Sequence, residues 1–327
     1  MHEDLNRRNF LKKSIIASTG ATLGLNLDGK SMAAEIKEEA VKPGINVSDK
    51  GMPMGKIGNL KISRLISGGN LISGWAHSRD LGYVSDLMRS YNTDEKVLDT
   101  LQLLEENGVN TIITDPREKP MRIIQRYWKE RGGKIQWIAE GHPKVNDIKT
   151  DLKRSIDWGV SAIYMQGVIG DKWLKENHFE KLGESLAFIK QNGIPGGIGA
   201  HMLNVIIASE TAGLNPDFYV KTLHSGNYWS CKRPDQNLDV VDNPSDNYWC
   251  VDPEQTIDFM KDVKKPWIAF KVLAAGAIPP RDGFKYAFEN GADFICVGMF
   301  DFQVRSDITI AKSILSKEFA RNRPWRA

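Results

Sequence analysis

Two lysines lie on neighbouring apolar runs near the C-terminal end of the chain, Lys221 in Phe218-Tyr219-Val220-Lys221-Thr222 and Lys271 in Trp267-Ile268-Ala269-Phe270-Lys271. Strand residues alternate sides. If Val220, Ile268, Phe270 and Val272 form the helix-facing set, Lys221 and Lys271 both point into the interior enclosed by the strands. Two ammonium groups at close range depress each other's pKa, and burial adds to that. A neutral lysine amine can attack a carbonyl and form a Schiff base. Other chemistry-bearing residues follow apolar runs in the same way: Asp115, Glu140, His142, Gln166, His201, His224 and Asp301, with His77 in a long connection. Glu140 and His142 are two apart and so share a face. With His201 and His224, His142 offers nitrogen ligands that suit Zn²⁺ or Mn²⁺. These residues equally suit metal-free binding of substrate hydroxyls. Trp229 and Trp249, two of nine tryptophans, offer flat faces to a sugar-like ligand or serve in ordinary packing.

All these residues need a frame that brings the ends of many strands together. From residue 60 onward, apolar runs at 62–68, 110–114, 135–140, 162–166, 195–200, 218–223, 266–273 and 294–298 alternate with helical patterns. The helical patterns fall at 93–107, 119–131, 146–158, 178–192, 202–212, 253–263, 280–290 and 303–317. Eight strand–helix units predict an α/β fold, a closed parallel (β/α)₈ TIM barrel, whose chemistry sits at the C-terminal strand ends. Glycines follow many helices, at Gly108, Gly159, Gly193, Gly213 and Gly291, the position of a left-handed helix cap. Two connections are unusually long, Gly69 to Asn92 after the first strand and Ser225 to Asp252 after the sixth. The second repeats a phrase, Asn227-Tyr228-Trp229-Ser230-Cys231 and Asn247-Tyr248-Trp249-Cys250. Long loops on the active face predict a lid, and Cys231 and Cys250 are expected to pair within it once outside a reducing compartment.

Length and charge bound the rest. The chain has 327 residues, 41% hydrophobic and 26% charged, with a formal net charge of +3. That suits one barrel, and it argues against a nucleic-acid partner. The start reads Asn6-Arg7-Arg8-Asn9-Phe10-Leu11-Lys12-Lys13 before a weakly apolar stretch, Ser14 to Leu27, too short for a permanent membrane span. It resembles the twin-arginine translocation signal. That resemblance implies a signal peptide over 1–34, a flexible linker over 35–53 and a barrel over 54–327. It also implies the translocation machinery as a partner and a periplasmic or otherwise exported destination.

Two enzyme families are also suggested. Asp217-Phe218-Tyr219-Val220-Lys221-Thr222 and Lys271-Val272-Leu273-Ala274-Ala275-Gly276-Ala277-Ile278 are similar to consecutive strands of the deoxyribose-phosphate aldolase family. By that likeness Lys221 is the Schiff-base lysine and Lys271 its pKa-lowering neighbour, in a lyase that needs no cofactor. The phosphate loop of that family is replaced by Gly298-Met299-Phe300-Asp301. Ser67-Gly68-Gly69-Asn70 and Leu104-Glu105-Glu106-Asn107-Gly108-Val109-Asn110 resemble the opening of the aldo/keto reductase barrel, which implies an oxidoreductase. The third reading is a metal-dependent hydrolase, isomerase or epimerase. All three take a small carbonyl compound or sugar.

Overall fold

The lumen of the barrel is as apolar as its outer shell, and this decides where the polar residues go. The structure, a computed structural model, describes residues 51–78, 81–231, 249–317 and 320–327. They fall in one compact unit, Asp49–Ala327. The expected signal peptide, the linker as far as residue 50 and loop residues 232–248 lie outside the described residues. Among the described residues no helix is long and apolar enough to cross a membrane.

A short antiparallel hairpin, β1 (Met54–Ile57) with β2 (Leu60–Ser63), precedes the barrel. Eight parallel strands then close on themselves: β3 (Leu65–Gly68), β4 (Thr111–Thr114), β5 (Gln136–Gly141), β6 (Ala162–Met165), β7 (Gly196–Ala200), β8 (Phe218–Thr222), β9 (Trp267–Phe270) and β10 (Phe294–Val297), with β10 pairing to β3. The expected barrel is therefore observed, and each of its strands overlaps a predicted run.

The helices are α1 (Asn70–Ser73), α2 (Tyr83–Tyr91), α3 (Asp94–Glu106), α4 (Glu118–Arg131), α5 (Lys149–Asp157), α6 (Gly167–Lys175), α7 (Glu180–Gln191), α8 (Leu203–Thr211), α9 (Pro253–Met260), α10 (Pro280–Glu289) and α11 (Asp301–Leu315). Three of these, α1, α2 and α6, were not expected. The connection after the first barrel strand is no structureless lid, because it carries α1 and α2. In α2 the apolar stripe Tyr83, Leu87 and Tyr91 is left exposed and only Met88 is buried, so this helix packs little of its apolar side into the core.

Each barrel strand sends alternate residues to two cores. Leu65, Ile112, Trp137, Ala139, Ile163, Met165, Ile198, Tyr219, Trp267, Ala269, Ile295 and Val297 pack with the helices. Ile66, Ile113, Ile138, Ala162, Tyr164, Phe218, Val220, Ile268 and Phe294 fill the lumen, joined by Phe270 and Cys296. Ile57 and Ile62 of the hairpin belong to the same inner cluster, so the hairpin plugs the N-terminal end. On β7 the lumen positions are glycines. A Cβ on Gly199 would come within 2.9 Å of the Tyr164 ring, and one on Gly197 within 2.6 Å of the Phe218 ring. These two rings take the space that β7 leaves.

The C-terminal tail seals the same end. Arg323 and Asp293, both fully buried, form a 2.6 Å ion pair. Trp325 lies between two guanidinium groups, Arg64 at 4.0 Å and Arg321 at 3.4 Å from its ring centre. Residues at this end serve stability.

One buried group works against stability. Asp307 faces inward on α11 with 3% of its surface exposed, and its Oδ2 has no hydrogen-bond partner. Burial raises its pKa from 3.8 to about 6. A carboxyl whose folded pKa is raised stabilises the fold while protonated and loses that contribution as pH climbs through the folded value. Asp307→Asn is therefore expected to stabilise the protein at pH 7–8 by on the order of 1–2 kcal/mol. The gain should vanish near pH 4, where wild type is protonated too. Thermal melts across pH 4–8 check this, and an equal gain at both ends would contradict it.

Candidate active site

The lumen positions at the C-terminal strand ends are where a substrate would meet the barrel, and alternation decides who stands there. Lys221 is not one of them. It is in register with Ala200 on β7 and Ala269 on β9, both of the outer core, while its neighbours Val220 and Thr222 take the inner side with Ile268 and Phe270. The side chain is fully buried and its Nζ donates to the Thr222 carbonyl at 3.1 Å. Burial lowers its pKa, opposed by the charges of Cys250, Asp171 and Asp252. Lys271 lies beyond the end of β9 with φ +59°, outside the strand alternation, and its Nζ sits 5.9 Å from the centre of the Phe270 ring. The expected pair of facing lumen lysines is thus corrected. The physical cause is that a small barrel's interior is a packed core, so apolar residues such as Ile268 and Phe270 mark the lumen as readily as the helix side.

Glu140 does reach the lumen. It follows Ile138 on β5 by two residues. Its Oε1 accepts from the Tyr164 hydroxyl at 3.2 Å, and its Oε2 lies 3.6 Å from Nε2 of His142. Burial opposes protonation of His142, but the hydrogen bond to Glu140 and the charges of Glu140, Asp151 and Asp115 outweigh it, and the imidazole pKa is raised. Tyr164 is held well above the ordinary phenol range, first by burial and then by the Glu140 carboxylate. Burial, with the Glu140 charge, also pushes the Cys296 thiol up. At neutral pH Tyr164 is a hydrogen-bond donor. The pair Glu140–His142 is the accessible acid–base element, with the Glu140 side chain 18% and that of His142 41% exposed.

Asp115, directly after β4, is nearly buried. It accepts from the Trp75 Nε1–H at 3.1 Å and from Arg117 at 2.8 Å. Burial would raise its pKa, and the Arg117 hydrogen bonds and charge bring it below the usual carboxylate range. His77 is two residues on from Trp75, half-buried, with φ +50°.

A second polar group lies across the mouth. His201, after β7, is buried and its Nδ1 meets Asp171 Oδ2 at 2.9 Å. The same carboxylate accepts the backbone N–H groups of His201 and Met202. Burial, and then the Lys271 charge, lower the His201 pKa to about 4. His224 is lowered to about 3 by burial, with the charges of Lys271 and Lys221 contributing. Both imidazoles are neutral at pH 7. Asp171 lies on α6, and Gln166 caps that helix by accepting from Val168 N at 2.8 Å, so Gln166 positions the Asp171 that orients His201.

The three histidines expected as metal ligands do not converge. Both His224 nitrogens are engaged, Nδ1 with the Lys271 carbonyl at 2.8 Å and Nε2 with the Cys250 N–H at 2.9 Å. His201 is committed to Asp171 and His142 to Glu140. Among the described residues no group of three His, Cys, Asp or Glu side chains is placed to hold a metal. The expected disulfide is also absent: Cys231 and Cys250 are free thiols, and Cys250 Sγ contacts the Thr222 carbonyl at 3.4 Å. Trp249 is no open platform, because it is 1% exposed and packs with Val251, Met202 and Tyr228. Trp229 is 92% exposed. Asp301 opens α11 and accepts from Tyr91 at 2.6 Å and Lys96 at 2.9 Å, tying that helix to α2 and α3.

Sequence reasoning missed Tyr164, Asp171, Trp75 and Arg117. Tyr164 could have been found, since it stands two residues before Gln166 on a predicted strand. Asp171 could not, because α6 went unrecognised.

No family profile and no curated protein sequence matches the chain. Solved structures do resemble it. Two from Pseudomonas aeruginosa, both assigned as aldo-keto reductases, are each 15% identical to it. One covers 83% of this chain and 100% of its own length with a TM-score of 0.59; the other covers 82% and 98% with a TM-score of 0.58. At that identity the likeness speaks for the fold: this chain is an α/β barrel of the TIM type, shaped like those of aldo-keto reductases.

Proposed function

We propose that the chain is an exported enzyme that carries out acid–base chemistry on a small carbonyl compound or sugar at the C-terminal mouth of its barrel. The observation that carries this reading is the Glu140 carboxylate, held in the lumen between the Tyr164 hydroxyl and His142. Glu140 accepts a proton from a substrate hydroxyl or an adjacent carbon. Protonated His142 donates one to the carbonyl oxygen, and Tyr164 orients the carboxylate.

Among reaction classes, an aldo/keto reductase-like oxidoreductase stands above a Schiff-base lyase. Lys221 on the helix side removes the lyase's expected nucleophile from the lumen. The overlay on two structures assigned as aldo-keto reductases, over nearly their whole length, favours the first. Such a reduction needs a hydride donor, and a nicotinamide dinucleotide brings phosphates. In many barrels phosphates sit at the helix N-termini after the last two strands. Here α10 begins at Pro280 and is preceded by Pro279, and neither residue has an N–H group. The Phe300 N–H before α11 is taken by Gln303, and the Asp301 carboxylate occupies the first turn with Lys96 as its partner. These residues do not fit dinucleotide phosphates, and no step is routed through that cofactor.

The test is a panel of small aldehydes, ketones and sugars, followed for NADPH or NADH oxidation and, in D₂O, for deuterium uptake next to the carbonyl. Nicotinamide oxidation supports the oxidoreductase, and uptake without it supports proton transfer alone. Neither signal from any compound, at any pH between 5 and 9, would sink the proposal. Export rests on the arginine pair: Arg7→Lys with Arg8→Lys is expected to hold the protein in the cytoplasm on fractionation, and undiminished export would refute that part.

A further inference from the structure

Trp75 sits just past α1, with 52% of its surface exposed. It is held by its polar edge and by one face. Its Nε1–H donates to Asp115 Oδ2 at 3.1 Å, and Arg117, which donates to the same oxygen at 2.8 Å and to the Ser73 carbonyl at 3.2 Å, lays its guanidinium 4.7 Å from the ring centre. A nearly buried carboxylate and an arginine together fix the orientation of one half-exposed ring. A ring held this firmly offers rigid, flat, amphipathic contact area at little conformational-entropy cost. Asp115 follows β4, the neighbour of β5 that carries Glu140, and the Asp115 charge is felt at both His142 and Tyr164.

We propose that the open part of the Trp75 ring is a subsite for an uncharged pyranose. The indole takes the C–H face of the sugar, and the sugar hydroxyls donate to carboxylate oxygens at the mouth. The electrostatics fit this ligand. Arg117 is matched by Asp115 at 2.8 Å, and the Glu140 carboxylate faces His142 at 3.6 Å, so neither pair leaves a net charge to hold a phosphate or carboxylate, while Glu140 can still accept from hydroxyl donors. This rests on the acid–base reading above and names its substrate class.

Saturation-transfer NMR on the full chain tests it, with glucose, galactose, mannose and xylose as probes and glycerol and adenosine as controls. Ring C–H protons of at least one aldose should receive saturation in wild type. The signal should fall at least five-fold in Trp75→Ala and survive in Trp75→Phe, with circular dichroism confirming the fold. If Trp75→Ala does not fold, Arg117→Ala, which frees the ring, should weaken the signal several-fold. Equal saturation in wild type and variant, none from any aldose, or a stronger response from adenosine would overturn the subsite. Glu140-dependent turnover of small acyclic carbonyls alongside absent sugar saturation would remove the subsite and leave the proposed function standing. Loss of both would remove both.

Discussion

Replacing Glu140 with Gln is expected to lower kcat/KM by about 10²–10⁴-fold, the usual contribution of a positioned general base. The shape is nearly preserved, so KM should change little and the loss should appear in kcat. The pH profile gives a second readout. In wild type the His142 pKa is raised because Glu140 outweighs the effect of burial, so a protonated His142 is available up to a pH above 6.5, the ordinary imidazole value. Without the carboxylate, burial dominates and the pKa falls. The alkaline limb of activity should therefore move to lower pH in Glu140→Gln. A variant with wild-type kcat, or with an unmoved alkaline limb, would remove Glu140 from the chemistry and direct attention to His201 and Asp171.

The largest expected effect on stability lies at the opposite end of the barrel. Asp293→Ala should cost about 3–5 kcal/mol, because it strands the fully buried Arg323 without its counter-charge. It also removes the acceptors for the Trp267 and Arg326 backbone N–H groups at 2.9 and 2.7 Å, and the first of these is a further unsatisfied buried donor. The urea midpoint should drop sharply while activity per folded molecule is retained, since the site is at the other end. An apolar pair, Asp293→Leu with Arg323→Met, should recover much of the loss, because two buried charges disappear together. A midpoint within experimental error of wild type for Asp293→Ala would show that the tail does not hold the barrel's base.

By itself the sequence determined the barrel. Each strand is a short apolar run, helices such as α3 and α4 carry a clear apolar stripe, and glycines at 108, 159, 193, 213 and 291 take positive φ, so local signals agreed at every unit. It also placed Asp115, Glu140, His142, His201 and His224 at or beyond the strand ends, because the position of a residue after an apolar run is a one-dimensional property. Which way each side chain faces was decided only by the tertiary structure. Ile268 and Phe270 suit the lumen and the helix layer equally, since both are packed apolar cores, and the choice between them came from closure of the barrel and the register of β8 with β9. That one choice moved Lys221 out of the lumen. The partners were equally a matter of three dimensions. Asp171 finds His201 across 30 residues and Arg323 finds Asp293 across another 30. The Trp75 ring reaches Asp115 across 40. Contacts between separate strand–helix units depend on where the closed barrel sets each loop, and no local pattern of residues encodes that.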